Sequence, residues 1–132
     1  MRQLKLGHSA DVETFRRMAL NARGRNCDDH TKNYSFLLKK GGPWELFSAY
    51  DITFARNPRG EWTSRHLMSV NGKFADISKE DCLALADRFA IGEAPSILKQ
   101  VREAVEAWPD FAAQAKVTAS EIGRIRGHLR SL

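Results

Sequence analysis

The chain has few of the residues that usually announce a mechanism. Its 132 residues include two cysteines, Cys27 and Cys82, far apart and without the CxxC spacing of a zinc or redox motif, so free thiols in a reducing compartment are expected. Nine glycines are present, yet none falls in GxGxxG or GxxxxGKS order, and no phosphate-cradling loop is found. Long apolar runs are missing too. No window approaches the ~18 residues of a membrane span, and the opening "MRQLKLGHSADVETF" lacks the apolar stretch of an export signal. These absences point to a cytoplasmic protein with no membrane partner. Charge of one sign does not dominate either: 21 Lys and Arg stand against 16 Asp and Glu, a net +5. Spread along the chain, that excess permits a nucleic-acid or acidic partner without requiring one.

What is present suits one domain over residues 1–132, able to bury about 65–70% of its unfolded surface around a single core. Ser9 and Asp11 offer caps for a helix with Val12, Phe15, Ala19 and Ala22 at helical spacing, and Gly24 is its expected terminator. "NYSFLLK", the turn "KGGP" and "WELFSAYD" read as a hairpin, followed by a loop over residues 55–65 and a Gly turn in "HLMSVNGKF". Ser78 caps a second helix with Leu83, Ala86 and Ala90 on one side. Pro95 opens a third, whose stripe is Ile97, Val101, Ala104, Val105 and Trp108. Thr118 and Glu121 have capping-box spacing for a last helix that carries Arg124, Arg126 and Arg130. The predicted class is mainly α with a small β-hairpin (α+β).

The chemistry-bearing residues crowd into "RNCDDHTKNYSF", residues 25–36. Gly42 lies halfway between Asn33 and Asp51, and a turn centred there sets those two opposite each other, with α-carbons roughly 4.5–5.5 Å apart. An Asn carbonyl and an Asp carboxylate suit hard Mg2+, which takes few protein ligands and completes its shell with water and phosphate. Asp28 and Asn33 have the D-x-x-x-x-N spacing of protein-kinase catalytic loops, where the Asp accepts a hydroxyl proton and the Asn holds a metal. In that reading Lys32 neutralises transferring phosphate, and His30 orients the loop or contacts nucleotide. The same residues also fit a polar turn, with Asn33 bonded locally and Asp51 ending a strand. A metal-dependent nuclease built on His30 and the nearby acids has the least support, because it has one His only.

"NARGRNCDDHTKNYSFLL", "WELFSAYDIT", "HLMSVNGKF" and "ILKQVREAVEAW" together resemble the C-terminal region of HipA-like serine/threonine kinases, the toxins of bacterial toxin–antitoxin pairs, over residues 11–108. The resemblance implies the helical C-lobe of a protein-kinase-like fold. It implies Asp28 as catalytic base, Asn33 and Asp51 as Mg2+ ligands, and an ATP site lined by His30, Thr31, Lys32, Asn33, Tyr50 and Asp51. A protein substrate follows from it, of the aminoacyl-tRNA synthetase type, with an antitoxin partner through which DNA is contacted. Two positions depart from the family pattern: Arg23 stands where an apolar residue is usual, implying looser packing, and Ser48 replaces a proline, implying a small shift of Asp51. Family members carry an upstream half that supplies a phosphate-covering loop and a nucleotide lysine, and neither is found here. The expectation is therefore a catalytic-lobe fragment or split subunit, inactive without an N-terminal half. The alternative is a noncatalytic remnant that binds an antitoxin or DNA.

Overall fold

The computed structural model describes residues 2–129, which form five α-helices and one two-stranded antiparallel sheet, preceded by a short 3-10 turn. This is the mainly α architecture with a small hairpin that the sequence predicts. The first helix, α1 (His8–Gly24), buries Phe15, Ala19 and Ala22 as its periodicity requires. Its cap is the extended Gly7, with no side-chain hydrogen bond, rather than Ser9 or Asp11. Asp11 sits in the first turn, where its charge complements the helix dipole. The helix ends at Gly24, as expected, and the left-handed position that follows falls on Arg25 (φ 58°).

The hairpin pairs β1 (Phe36–Leu38) with β2 (Trp44–Leu46), matching Phe36 to Leu46, Leu37 to Glu45 and Leu38 to Trp44. That register centres the turn on Gly41, whose φ of +74° a side chain would resist. Continued, it sets Ala49 rather than Asp51 opposite Asn33. The expected ladder pairing of Asn33 with Asp51 is therefore off by two residues. Residues 55–65 are irregular, as expected, and Asn71 and Gly72 turn the chain with positive φ between Val70 and Lys73.

Helix α2 (Lys79–Arg88) starts at a reciprocal capping box: the Ser78 hydroxyl accepts the Asp81 amide, and the Asp81 carboxylate accepts the Ser78 amide. It ends before Ala90, which is exposed and left-handed (φ 55°) rather than part of the apolar side, and which turns the chain so that Ile91 enters the core. Helix α3 (Ala94–Glu106) buries Ile97, Leu98, Val101 and Val105, while Ala104 is exposed. A helix the sequence did not suggest, α4 (Trp108–Gln114), follows at once. Pro109 cannot continue the α3 hydrogen-bond ladder but fits a first turn, so Trp108 opens α4 instead of closing α3. The last helix is α5 (Ala119–Arg126), with Thr118 accepting the Glu121 amide at 3.4 Å. Arg124 lies 5.6 Å from the Phe54 ring, and the His128 ring 6.0 Å from it. Arg130 lies outside the described residues.

The core joins α1, α2 and α3: Phe15 and Ala19, Cys82 and Ala86, and Ile97, Leu98, Val101 and Val105 pack together with Val70 and Ile91. Each large apolar side chain fully buried there contributes about 1.5–3 kcal/mol. Arg23 sits at the α1–α3 contact, 4% exposed, and reaches Glu106 at 2.9 Å. Burial pushes its guanidinium pKa down, while Glu106 opposes that shift. The expected loosening at this position is replaced by a cross-helix ion pair. Both cysteines are free and buried. Burial raises each thiol to about 11, helped by Asp29 beside Cys27 and by Asp81 and Glu80 beside Cys82.

Glu106→Ala strands a buried cation and is expected to cost about 1–3 kcal/mol in urea unfolding, less than a fully buried pair because Glu106 is 60% exposed. Arg23→Leu is expected to be neutral or stabilising. Asp81 accepts from Lys73 Nζ (2.8 Å), the Ser78 amide (2.9 Å) and Asn71 Nδ2 (3.1 Å), which hold its carboxyl well below the usual range. A depressed folded pKa gives stability that is complete above the ordinary value near pH 4 and is lost as pH falls. The Asp81→Asn variant should therefore lose stability less steeply than the parent between pH 5 and about pH 2.

Candidate functional site

Two segments meet beside the end of α1. Residues 25–27 leave the helix and run parallel to residue 55: Cys27 N donates to Ala55 O at 3.1 Å, and Ala55 N to Arg25 O at 3.1 Å. The left-handed turn at Arg25 aims Asn26 inward, where it is 3% exposed. There its Nδ2 donates to Asn21 Oδ1 (3.2 Å) and to the carbonyl of Asp51 (3.0 Å). Asp51 itself has φ 53°. Both residues that steer the site thus hold a backbone conformation that costs a side-chain-bearing residue roughly 1–2 kcal/mol, and the buried amide contacts and the parallel bridge keep them there.

Residues 28–35 then fold into a tight loop. A 3-10 turn over Thr31–Asn33 is closed by Asn33 N on His30 O (3.0 Å) and Tyr34 N on Thr31 O (3.2 Å). The Asn33 Nδ2 donates to the carbonyl of Asp28 and to the carboxylate of Asp51, each at 3.2 Å. The two side chains meet although eighteen residues separate them. Strand register does not bring them together; the left-handed Asp51 and the 3-10 turn do. With the Asn33 nitrogen committed to oxygens, its Oδ1 is the atom that faces the choice of holding a cation.

The remaining predicted residues divide. Asp28 keeps 47% of its side chain exposed and lies 4.0 Å from His30 Nε2. Thr31 and Lys32 are exposed on the turn. Tyr50 donates its phenol to the Lys32 carbonyl at 2.6 Å and meets the Ser35 hydroxyl, bracing the loop from the side. Around Asn33, Tyr34, Tyr50 and Asp51 there is a small, partly open hollow of about 10 Å³, close to the least that holds one water. Beyond it the site is open.

Sequence reasoning missed four residues that build this site: Asn21, Asn26, Asp29 and His66. Asp29 is 7% exposed and His66 2%. Their contact, His66 Nδ1 to Asp29 Oδ2 at 2.9 Å, spans 37 residues. No periodic pattern carries that signal. Among the described residues no group of three or more His, Cys, Asp and Glu side chains gathers as a metal site, and none of the helices is long and apolar enough to cross a membrane.

The fold and site define a mainly helical domain that joins an Asp/Asn loop to a second Asp beyond a hairpin. The profile of the HipA-like C-terminal domain matches residues 1–108, and the chain belongs to that family. No curated protein and no solved structure matches it.

Removing the buried amide with Asn26→Ala leaves Asn21 Oδ1 and the Asp51 carbonyl without their donor. The expected cost is about 1–3 kcal/mol in urea unfolding.

Proposed function

We propose that this chain is the catalytic lobe of a HipA-like serine/threonine protein kinase, which transfers phosphate from ATP with Mg2+ and works with a second polypeptide half. The observation that carries this reading is the meeting of Asn33 and Asp51 at 3.2 Å beside a half-exposed Asp28, on a chain whose family is HipA-like. The donor set fits the metal: one carboxylate and one amide carbonyl are hard oxygens, and Mg2+ keeps several non-protein ligands. When bound, Mg2+ and ATP supply the phosphoryl group and the charge that offsets its transfer.

The residues have distinct tasks in this scheme. Asp28, its backbone held through its carbonyl, takes the proton from a substrate hydroxyl. Asn33 Oδ1 and the Asp51 carboxylate hold Mg2+. His30, Thr31 and Lys32 border the nucleotide, with Lys32 countering phosphate charge. Tyr50 offers only its ring, because its hydroxyl is engaged by Lys32 and Ser35. A hollow of about 10 Å³ cannot enclose a triphosphate, so in this scheme the nucleotide is covered by the second half. Covering and aligning it account for much of the rate in phosphoryl transfer. That is why the lobe alone is expected to be nearly inert, and why a partner with a phosphate-covering loop and a lysine belongs to the scheme.

The noncatalytic alternative, an antitoxin- or DNA-binding module, draws on the net charge of +5. Its basic face is weaker than the sequence implies, because Arg124 is spent on Glu121 and on the Phe54 ring.

Calorimetry and phosphotransfer assays with MgATP, with and without a HipA-like N-terminal half, separate the two. Transfer is expected only with both halves present. Asp28→Asn should lower it by at least about 100-fold with MgATP affinity kept, and Asp51→Asn should weaken both. Absence of both MgATP binding and transfer with the second half present sinks the kinase reading. Salt-dependent DNA binding that weakens when Arg124 and Arg126 become Ala supports the alternative.

A further inference from the structure

Asp28 and Asp29 are neighbours in sequence with opposite surroundings. The Asp28 side chain is 47% exposed, that of Asp29 9%. Three consecutive residues of a distant segment supply donors to the Asp29 carboxylate: Oδ1 accepts the amides of Leu67 (2.8 Å) and Met68 (3.2 Å), and Oδ2 faces Nδ1 of His66 (2.9 Å). With a carboxylate as acceptor, the imidazole proton sits on Nδ1. His66 is fixed in turn, since its own amide donates to Phe74 O at 2.8 Å. The segment it belongs to continues into Val70, a core residue, and then into the Asn71 and Lys73 side chains held by Asp81 at the start of α2. Asp29 therefore ties the loop to the helical core through a chain of named contacts.

The tie has a direct consequence for the residue beside it. The Asp28 carbonyl, one peptide away from Asp29, accepts the Asn33 Nδ2 that also reaches Asp51. Fixing Asp29 fixes that peptide, and with it the placement of both the Asp28 carboxylate and the Asn33 amide.

We infer that Asp29 and His66 are positioning residues, which hold Asp28 and Asn33 in register by anchoring their shared loop to the 66–68 segment. This rests on the kinase reading for its effect on rate, but the placement itself is a property of the chain alone. Neither residue touches substrate or metal. The pair works as outer partners of a metal or catalytic group do, where loss typically costs 10–100-fold.

The test uses the full chain in two variants. His66→Phe keeps an aromatic body and removes the Nδ1 donor; His66→Asn restores a donor near the Nδ1 position. In 15N NMR the Asn33 side-chain amide signals of the Phe variant should shift toward those of a free amide. The Leu67 and Met68 amides should lose about tenfold in exchange protection. The Asn variant should retain the parent pattern, with circular dichroism confirming that both fold. Unchanged Asn33 signals in a folded Phe variant overturn the inference, as does an Asn variant that behaves like Phe. In phosphotransfer with the second half, the Phe variant should lose about 10–100-fold in kcat, with KM for MgATP within about twofold and rescue by Asn. If the parent shows no transfer at all, the kinase reading fails, and the NMR result still decides the positioning role.

Discussion

Asn26 Nδ2 donates at once to a side chain at the end of α1 and to the backbone of Asp51, and the arrangement of the site depends on that one buried amide. Burying a polar group costs free energy unless it is hydrogen-bonded, and the two bonds of Nδ2 offset part of that cost. Both bonds exist only while the Asp51 segment lies against the helix end. The parallel bridge to Ala55 and the left-handed turn at Arg25 follow from the same requirement. The end of α1, the 28–35 loop and the Asp51 segment are in this sense one unit, held by polar contacts.

Two neighbouring acids show how position divides labour between identical side chains. Asp28 remains half open to solvent, while Asp29 turns inward and takes its contacts from His66, Leu67 and Met68. The inward residue gives the outward one a fixed base. Tyr50 braces the same loop from its other side through the Lys32 carbonyl. A loop of eight residues between Asp28 and Ser35 is thus held at both ends and at its middle turn.

Much of the scaffold was legible in the sequence because it is local. Phe15, Ala19 and Ala22 repeat at helical spacing, Ser78 and Thr118 precede the helices they cap, and the glycines at 41 and 42 mark the hairpin turn. The errors also have physical causes. Trp108 is spaced to close the third helix, whereas it opens α4 with Pro109 in the first turn. Gly24 does end the first helix, but the left-handed conformation that follows falls on Arg25, which carries a side chain. Hairpin symmetry suggested Asn33 and Asp51 as partners for a reason that fails, since the ladder is centred on Gly41; their side chains meet through backbone twists at Asp51 and in the 3-10 turn. Asp29 with His66 was illegible altogether, because a contact across 37 residues leaves no pattern in composition or period.

The Phe54 ring lies 5.6 Å from the Arg124 guanidinium and 6.0 Å from the His128 ring, and both of those residues come after the stretch that matches the family profile. Phe54 is three residues from Asp51, a tether of at most about 10 Å even when fully extended. The ring contacts made by Arg124 and His128 therefore fall on a residue whose backbone lies within about 10 Å of Asp51, so the last helix borders the site although it lies far from it in sequence.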